Sequence, residues 1–465
     1  MIVGMKNSES ARLCANRSVL LSALLLCMAI ASAAGSAFAA EDGFSQNLSR
    51  TWTVRESVRF ALANNPDSKV ALSRIEVAQA TVTMEEASFY PQVSVNSVYS
   101  QTNTPMHSFG NILNQGAFDQ SIDFNNPGRT DNLNVNVRLG YRFFNGLRDL
   151  AGLTAAQAHE SAARMEAAAV RSQLSFEVVR AFNRIVQAQG LVRAYESTEK
   201  SIGAMLEVAR LRRGEGMLLR ADVLDLEVQQ SQARENLLQA RHGLALSRNV
   251  FATLLGIGAQ DVVIDMVEAY HQEIPEGGGF DERYELKAMS AMIRGAEARV
   301  LQAKGGYLPT IDGYAGYGAD NGYVLDGSGD SWEAGVKLQY NLFDGQRTSA
   351  EVARAHAQLV EAKDQKRKTE LAIGLEVEQA QLALRNADER LLVMERTVEQ
   401  AQESARINRE RFSEGLVLSA DIIAVENRLT DAMVRRTFAE TARRVAVADL
   451  RRAIGLDQFP DQVEQ

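Results

Sequence analysis

Within residues 132–143, "NLNVNVRLGYRF", the apolar side chains Leu133, Val135, Val137, Leu139, Tyr141 and Phe143 fall on odd positions, and Asn, Arg and Gly fill the even ones. A period of two predicts a strand with one apolar and one polar face. A twin follows 199 residues later: Trp332, Ala334, Val336, Leu338, Tyr340 and Leu342 alternate with Glu333, Gly335, Lys337, Gln339 and Asn341. Each is preceded by a weaker alternating run that opens at a proline, Pro91 or Pro309. Two hairpins, four strands in all, are predicted, with polar connections at 100–131 and 318–330 that read as solvated loops.

Beyond each twin strand the period changes. Ile373, Val377, Ala380, Leu384, Ala387, Leu391, Met394, Val398, Ala401 and Ala405 step alternately by four and three, a heptad seam. The positions 199 residues earlier are apolar except Glu199, which with Tyr195 marks a local break. Proline is absent from 128–274 and from 310–459. Helices over 147–213 and 346–411 can therefore run unbroken, each to about 100 Å at ~1.5 Å per residue. A glycine-containing link, 214–217 or 413–416, then turns each into a second, returning helix.

The two halves align without a gap, 139–257 on 338–456, and Leu139, Gly146, Arg148, Gly216, Asp222, Glu227 and Gly256 meet Leu338, Gly345, Arg347, Gly415, Asp421, Glu426 and Gly455. This is an internal two-fold repeat. It divides the chain into a first repeat over 40–257, a joining segment over 258–280 with Pro275 and Gly277 to Gly279, a second repeat over 281–456, and a tail, 457–465.

Residues 1–39 read as a secretory signal peptide: a basic lead with Lys6, Arg12 and Arg17, an apolar core from Val19 to Ala31, and a small-residue cleavage site at 37–39. The apolar run is short for a membrane anchor. Both cysteines, Cys14 and Cys27, lie inside it, so the mature chain offers no disulfide, thiolate ligand or cysteine nucleophile. Lipid modification at Cys27 is disfavoured by the large Leu26 before it. Removing Lys6, Arg12, Arg17 and Glu9 takes the net charge from −9 to −11, which argues against a nucleic-acid partner. No later stretch reaches the ~18–20 apolar residues of a membrane-spanning helix. A crossing would have to be made by a closed β-barrel.

Enzymatic chemistry finds no support. His107, His159, His242, His271 and His356 lack metal-ligand spacing, and there is neither a phosphate-binding glycine loop nor a nucleophile elbow. No cofactor and no metal is expected.

The Phe144-Asn-Gly146 and Phe343-Asp-Gly345 exits from the twin strands, the prolines opening each strand pair, and the turn 411–421, "RFSEGLVLSAD", resemble the TolC family of outer-membrane efflux channels over nearly the whole mature chain. The resemblance implies an α+β membrane protein in which three chains give four strands each to a 12-stranded outer-membrane barrel, continued by a periplasmic α-helical coiled-coil barrel. Strand arithmetic reaches part of this: four strands cannot close, two copies would fill an eight-stranded barrel with side chains, and three leave a lumen. The apolar residues of the two strands would then face outer-membrane lipid. The implied function is a passive exit duct for small-molecule or protein cargo. Its implied partners are a periplasmic adaptor and an inner-membrane pump, ABC-type or proton-driven. Dedicated type I protein secretion is one alternative, and a periplasmic coiled-coil adaptor that never enters the membrane is another.

The helical turns carry the candidate site residues. Glu215 and Glu414 precede the turns, and Asp222, Asp225 and Asp421 follow them. A threefold assembly would make each a ring of carboxylates favouring cations. First-turn acids also offset the helix dipole, and Ser419 reads as an N-cap. In the family an aromatic and a basic residue of the second turn bond an Asp of a neighbouring first turn. Asp222 matches that Asp, but Phe412 stands at the tyrosine position, Val417 at the arginine position and Ala424 at a further acidic position. Any closed state must use other contacts. The adaptor surface is expected at Gly216, Met217, Leu218 and Leu219 and at Gly415, Leu416, Val417 and Leu418.

Overall fold

The computed structural model describes residues 51–258, 262–265, 274–275 and 279–459. The expected signal peptide with its cysteines, Gly277 and Gly278 of the joining segment, His271 and the end of the tail from 460 lie outside the described residues. In chain order the elements are β1 (Thr51–Trp52), α1 (Val54–Asn64), α2 (Pro66–Glu86), β2 (Gln92–Thr102), α3 (Pro105–Asn114), β3 (Thr130–Phe144), α4 (Arg148–Gly214), α5 (Arg220–Leu255), β4 (Val263–Ile264), α6 (Tyr284–Lys304), β5 (Thr310–Asn321), β6 (Ser328–Gln339), α7 (Arg347–Glu414) and α8 (Ser419–Ala453).

The four long strands form one antiparallel sheet in the order β2-β3-β5-β6. Its register fixes what each face carries. Asn134 sits opposite both Val98 and Asp320, and Asp320 opposite Gly329, so these residues share a face. That face presents Ser94, Asn96, Asn132, Asn136, Arg138, Asp312, Glu333 and Lys337. Arg138 donates to Glu333 at 2.7 Å and Arg142 to Asp312 at 3.3 Å across the strands. The other face carries Val93, Val95, Leu133, Val135, Val137, Leu139, Tyr141, Phe143, Trp332, Ala334, Val336 and Leu338.

Three expectations change here. β6 ends at Gln339, so Tyr340 and Leu342 lie beyond the strand, in the exit turn, and are exposed there. The first connection contains α3, and the strands extend far enough to shorten the second connection to 322–327. The joining segment contributes β4, which pairs in parallel with β1. A two-residue strand is too short to leave a periodic signature.

The exits from β3 and β6 explain the Asn/Asp-Gly motif. Gly146 and Leu147, and 199 residues on Gly345 and Gln346, take left-handed conformations with φ between 64° and 73°. At 146 the need for glycine is doubled, because a Cβ would run into the carbonyl of Gly305. Asn145 Oδ1 accepts from the Asp149 amide, and Asp344 Oδ2 from the Thr348 amide, so each Asx side chain caps the long helix that follows.

α4 has 67 residues and α7 has 68, each about 100 Å long. Of the heptad positions, Leu174, Val178, Ala181, Ile185 and Ala188 are buried in α4, and Ile373, Val377, Ala380, Leu384 and Ala387 in α7. The break at Tyr195 and Glu199 is a drift of the seam, since Ala194 and Thr198 are buried in their place. Thr198 then meets Thr430 of α8, hydroxyl to hydroxyl at 2.7 Å.

Near mid-height the two hairpins are belted by chain segments that carry large side chains. Trp52, Val54 and Val58 pack with Phe182, Phe251 and Leu255, while Leu286 packs with Ile373, Val377 and Leu450. Arg283 joins the second group, with only 6% of its side chain exposed. It donates to Glu285, to Glu376 and to the carbonyls of Arg452 and Ala453 that end α8. Burial pushes the Glu285 carboxyl up, but the bonds from Arg283 and the nearby Arg452 outweigh it and hold it below its ordinary value.

Arg283→Ala should lower the thermal stability of the belt by about 2 kcal/mol, mainly because it strands the two carbonyls that end α8, with a smaller loss at the partly exposed Glu285. The depressed Glu285 value means that its share of this contribution is present above the ordinary carboxyl value and lost as pH falls through the folded one. The gap between the wild-type and Arg283→Ala melting curves should therefore narrow in acid to the part owed to the carbonyls. Parallel curves at every pH would contradict the assignment.

Candidate functional site

Two regions carry chemistry that a water-soluble helical protein does not need. The first is the sheet. Val93, Val95, Trp332, Val336 and Leu338 form an apolar surface open to its surroundings, with Trp332 77% exposed. Behind it, on the opposite face, lies the lattice of amides and ion pairs. A contiguous exposed apolar face backed by a hydrated one requires a non-aqueous neighbour on one side only. The edge strands β2 and β6 each leave one row of backbone groups unpaired by the sheet.

The second region is the pair of helical tips, at the end of the long helices away from the sheet. Both turns close in the same way. Gly216 and Gly415 are left-handed at φ 76° and 87°, and the next amides, Met217 and Leu416, return to the carbonyls of Arg212 and Arg411. Around them the side chains alternate. Met217, Leu219, Leu416 and Leu418 are exposed, whereas Leu218 and Val417 turn toward the chain's own core.

Phe412, expected at a constriction, is 1% exposed and packs among Ile202, Leu206, Leu226 and Ile422. Its ring therefore joins the two tips within one chain, and no part of it is free to line a passage. Ser419 is not an N-cap either: Leu418 holds that position, and the buried Ser419 hydroxyl donates to the Asp222 carboxylate of the other tip. The second oxygen of Asp222 accepts from the Leu219 amide that opens α5, at 3.3 Å. Asp421, at the equivalent place in α8, is exposed, as are Asp225, Glu215 and Glu414. The structure thus brings Asp222 and Phe412 into the contact between tips and leaves the other four carboxylates in solvent.

Arg212 and Arg409 are site residues that the sequence reading does not single out. Arg212 Nη1 donates to the Phe412 carbonyl at 2.8 Å, and its guanidinium fills the space that a Cβ at Gly415 would need. Arg409 grips Glu426, whose side chain is 2% exposed, through Nε at 2.5 Å and Nη2 at 2.9 Å. Arg210 and Glu227, 199 residues earlier, form the same pair at 3.0 Å, but in solvent. The aligned glutamates carried the signal for this pair; an arginine 17 positions before each would have completed it.

A protein with one lipid-compatible sheet face, a hydrated opposite face and helices of this length is built as an outer-membrane channel with a periplasmic extension. The outer membrane efflux protein family matches this chain over residues 58–257 and again over 281–456, and the chain belongs to that family. It resides in the outer membrane, reaches into the periplasm and serves export. Nodulation protein T of Rhizobium leguminosarum bv. trifolii is 23% identical over 420 residues, covering 87% of this chain and 85% of that one. Among solved structures, the outer membrane protein VceC of Vibrio cholerae superposes with a TM-score of 0.75 at 18% identity, over 87% of this chain and 97% of its own. The CmeC outer membrane channel of Campylobacter jejuni gives 0.76 at 15% identity, over 91% and 92%.

The unequal burial of the two arginine–glutamate pairs gives a matched test. Arg409→Met should destabilise the second tip by roughly 3 kcal/mol by stranding a buried carboxylate, whereas Arg210→Met leaves the first tip nearly unchanged. Hydrogen exchange of the amides over 410–426 should accelerate on the order of a hundredfold in the first variant only. Equal acceleration in both would show that burial does not distinguish them.

Proposed function

We infer that three copies of this chain assemble into a passive exit duct. Each contributes four strands to a 12-stranded barrel, and the helical hairpins continue the lumen through the periplasm. The sheet carries this reading: unpaired edges cannot face hydrocarbon, and closure with the polar face inward satisfies both the backbone and the side chains. The 199-residue offset shared by the left-handed turns, the capped helix starts and the arginine–glutamate pairs supports an internal duplication that supplies two equivalent hairpins per chain. Trp332, Tyr141 and Phe143 would sit among the lipid-facing residues, with Tyr340, Leu342 and Phe343 of the exit turn at the interface.

The cargo, small molecules or protein, would be delivered by an inner-membrane pump, ABC-type or proton-driven, through a periplasmic adaptor. The adaptor surface is assigned to Met217, Leu219, Leu416 and Leu418 beside Gly216 and Gly415, with Leu218 and Val417 supporting it from beneath. Asp421, aided by Asp222, Asp225, Glu215 and Glu414, would make the periplasmic entrance favour cations. Rest-state closure would use contacts other than the bonds Phe412 and Val417 cannot make.

In planar bilayers under a KCl gradient, the wild-type reversal potential should lie on the cation-selective side, and Asp421→Ala combined with Asp222→Ala should shift it toward zero. An unchanged value would remove these acids from selectivity. Photo-crosslinking residues placed at Leu416 and Met217 in living cells should capture the adaptor, while the same residues at Val417 and Leu218 should capture it less. An inverted pattern would displace the docking surface from the tips.

A further inference from the structure

The end of the sheet away from the helices carries a device that the sequence hid in a polar loop. α3 begins with Pro105 in its first turn and ends at Asn114, capped by Gln115 and followed by the left-handed Gly116. Its Ser108, Ile112 and Gln115, on one helical face, are all buried. The Ser108 hydroxyl lies within bonding distance of the carbonyls of Thr102 and Gly128. Asn111 Nδ2 donates to Thr130 Oγ1 at 3.0 Å, and Gln115 Nε2 to Asn132 Oδ1 at 3.1 Å.

Those anchors decide which side of the sheet α3 covers. Thr130 and Asn132 belong to the polar face, as does Gly329 of β6, where a Cβ would run into the carbonyl of Asn114. α3 therefore reaches from β3 to β6 over the polar face, past the end of β5 between them. Asn132 and Asp320 on that face are buried, whereas Arg138 and Glu333 farther along it are exposed. On the side of α3 turned away from the sheet, Met106 and Leu113 stand exposed. Phe109, Phe118 and Phe124 cluster beside them, with ring centroids 4.6 to 6.2 Å apart.

We propose that α3 and the segment returning to Gly128 form an inward-folded cap on the outer mouth of the duct, in which the three phenylalanines make an aromatic collar that bars bulky polar solutes from entering. The cap rests on the reading of a closed barrel with its polar face inward. Three copies bring nine phenylalanines around one opening, and an apolar rim there disfavours entry by large hydrated molecules. The hydrogen bonds at Ser108, Asn111 and Gln115 hold the collar in place.

Because the mature chain lacks cysteine, Ser94→Cys is a unique thiol on the polar face, ~20 Å along the strands from Asn132. Val95→Cys is its counterpart on the apolar face. Intact cells are treated from outside with a small charged maleimide or with a polyethylene-glycol maleimide of several kilodaltons. The small reagent should label Ser94→Cys and the polymer should not. Adding Phe109→Ser, Phe118→Ser and Phe124→Ser together, or replacing 105–128 by a short Gly-Ser turn, should let the polymer label as completely as the small reagent. Recovery of either variant in urea-washed outer membrane verifies that it has folded and inserted. Polymer labelling that is unaffected by both changes would overturn the cap while leaving the barrel standing. A Ser94→Cys thiol closed to the small reagent beside an open Val95→Cys thiol would overturn the barrel orientation itself.

Discussion

A backbone amide in hydrocarbon has no water to bond, and the architecture of this protein follows from that constraint. Within the sheet every interior strand has two neighbours, but β2 and β6 have one each. A chain placing these edges in a membrane must meet another sheet edge, which in the proposed assembly belongs to a second copy. The long helices have no such demand, since they satisfy their backbones internally. They can be polar on the outside, and among the described residues no helix is long and apolar enough to cross a membrane.

The two periodicities are joined by a chemical hinge of three residues. A strand leaves the sheet along its own axis, and a helix must start at once with four amides unbonded. Asn145 and Asp344 supply an acceptor for the new helix, while Gly146 and Gly345 supply the left-handed turn that lets it begin. This is why a short motif carries much of the family likeness: it stands where one hydrogen-bonding system ends and the other starts.

Much of the fold is legible in the sequence because it is periodic. The twin strands, the heptad seams, the proline-free spans and the glycine turns are all repeating or punctuating signals. What escaped is local or depends on contact between distant segments. β1 and β4 are too short to alternate, and α3 interrupts a loop whose composition is polar. Motif position puts Phe412 at a constriction and helix-end statistics make Ser419 an N-cap, but the neighbouring tip of the same chain claims both. A motif gives the place of a residue along the chain and cannot say which surface its neighbours have already covered.

The bonds from Arg212 to the Phe412 carbonyl and from Ser419 to Asp222 have a mechanical consequence. Together with the buried Phe412 ring they fasten the two hairpins of one chain at their far ends. The two ends then have few independent degrees of freedom and travel as a single rigid jaw. In the proposed assembly, any widening of the periplasmic entrance is accordingly a motion between chains, with its compliance in the seams between copies and not in the turns themselves.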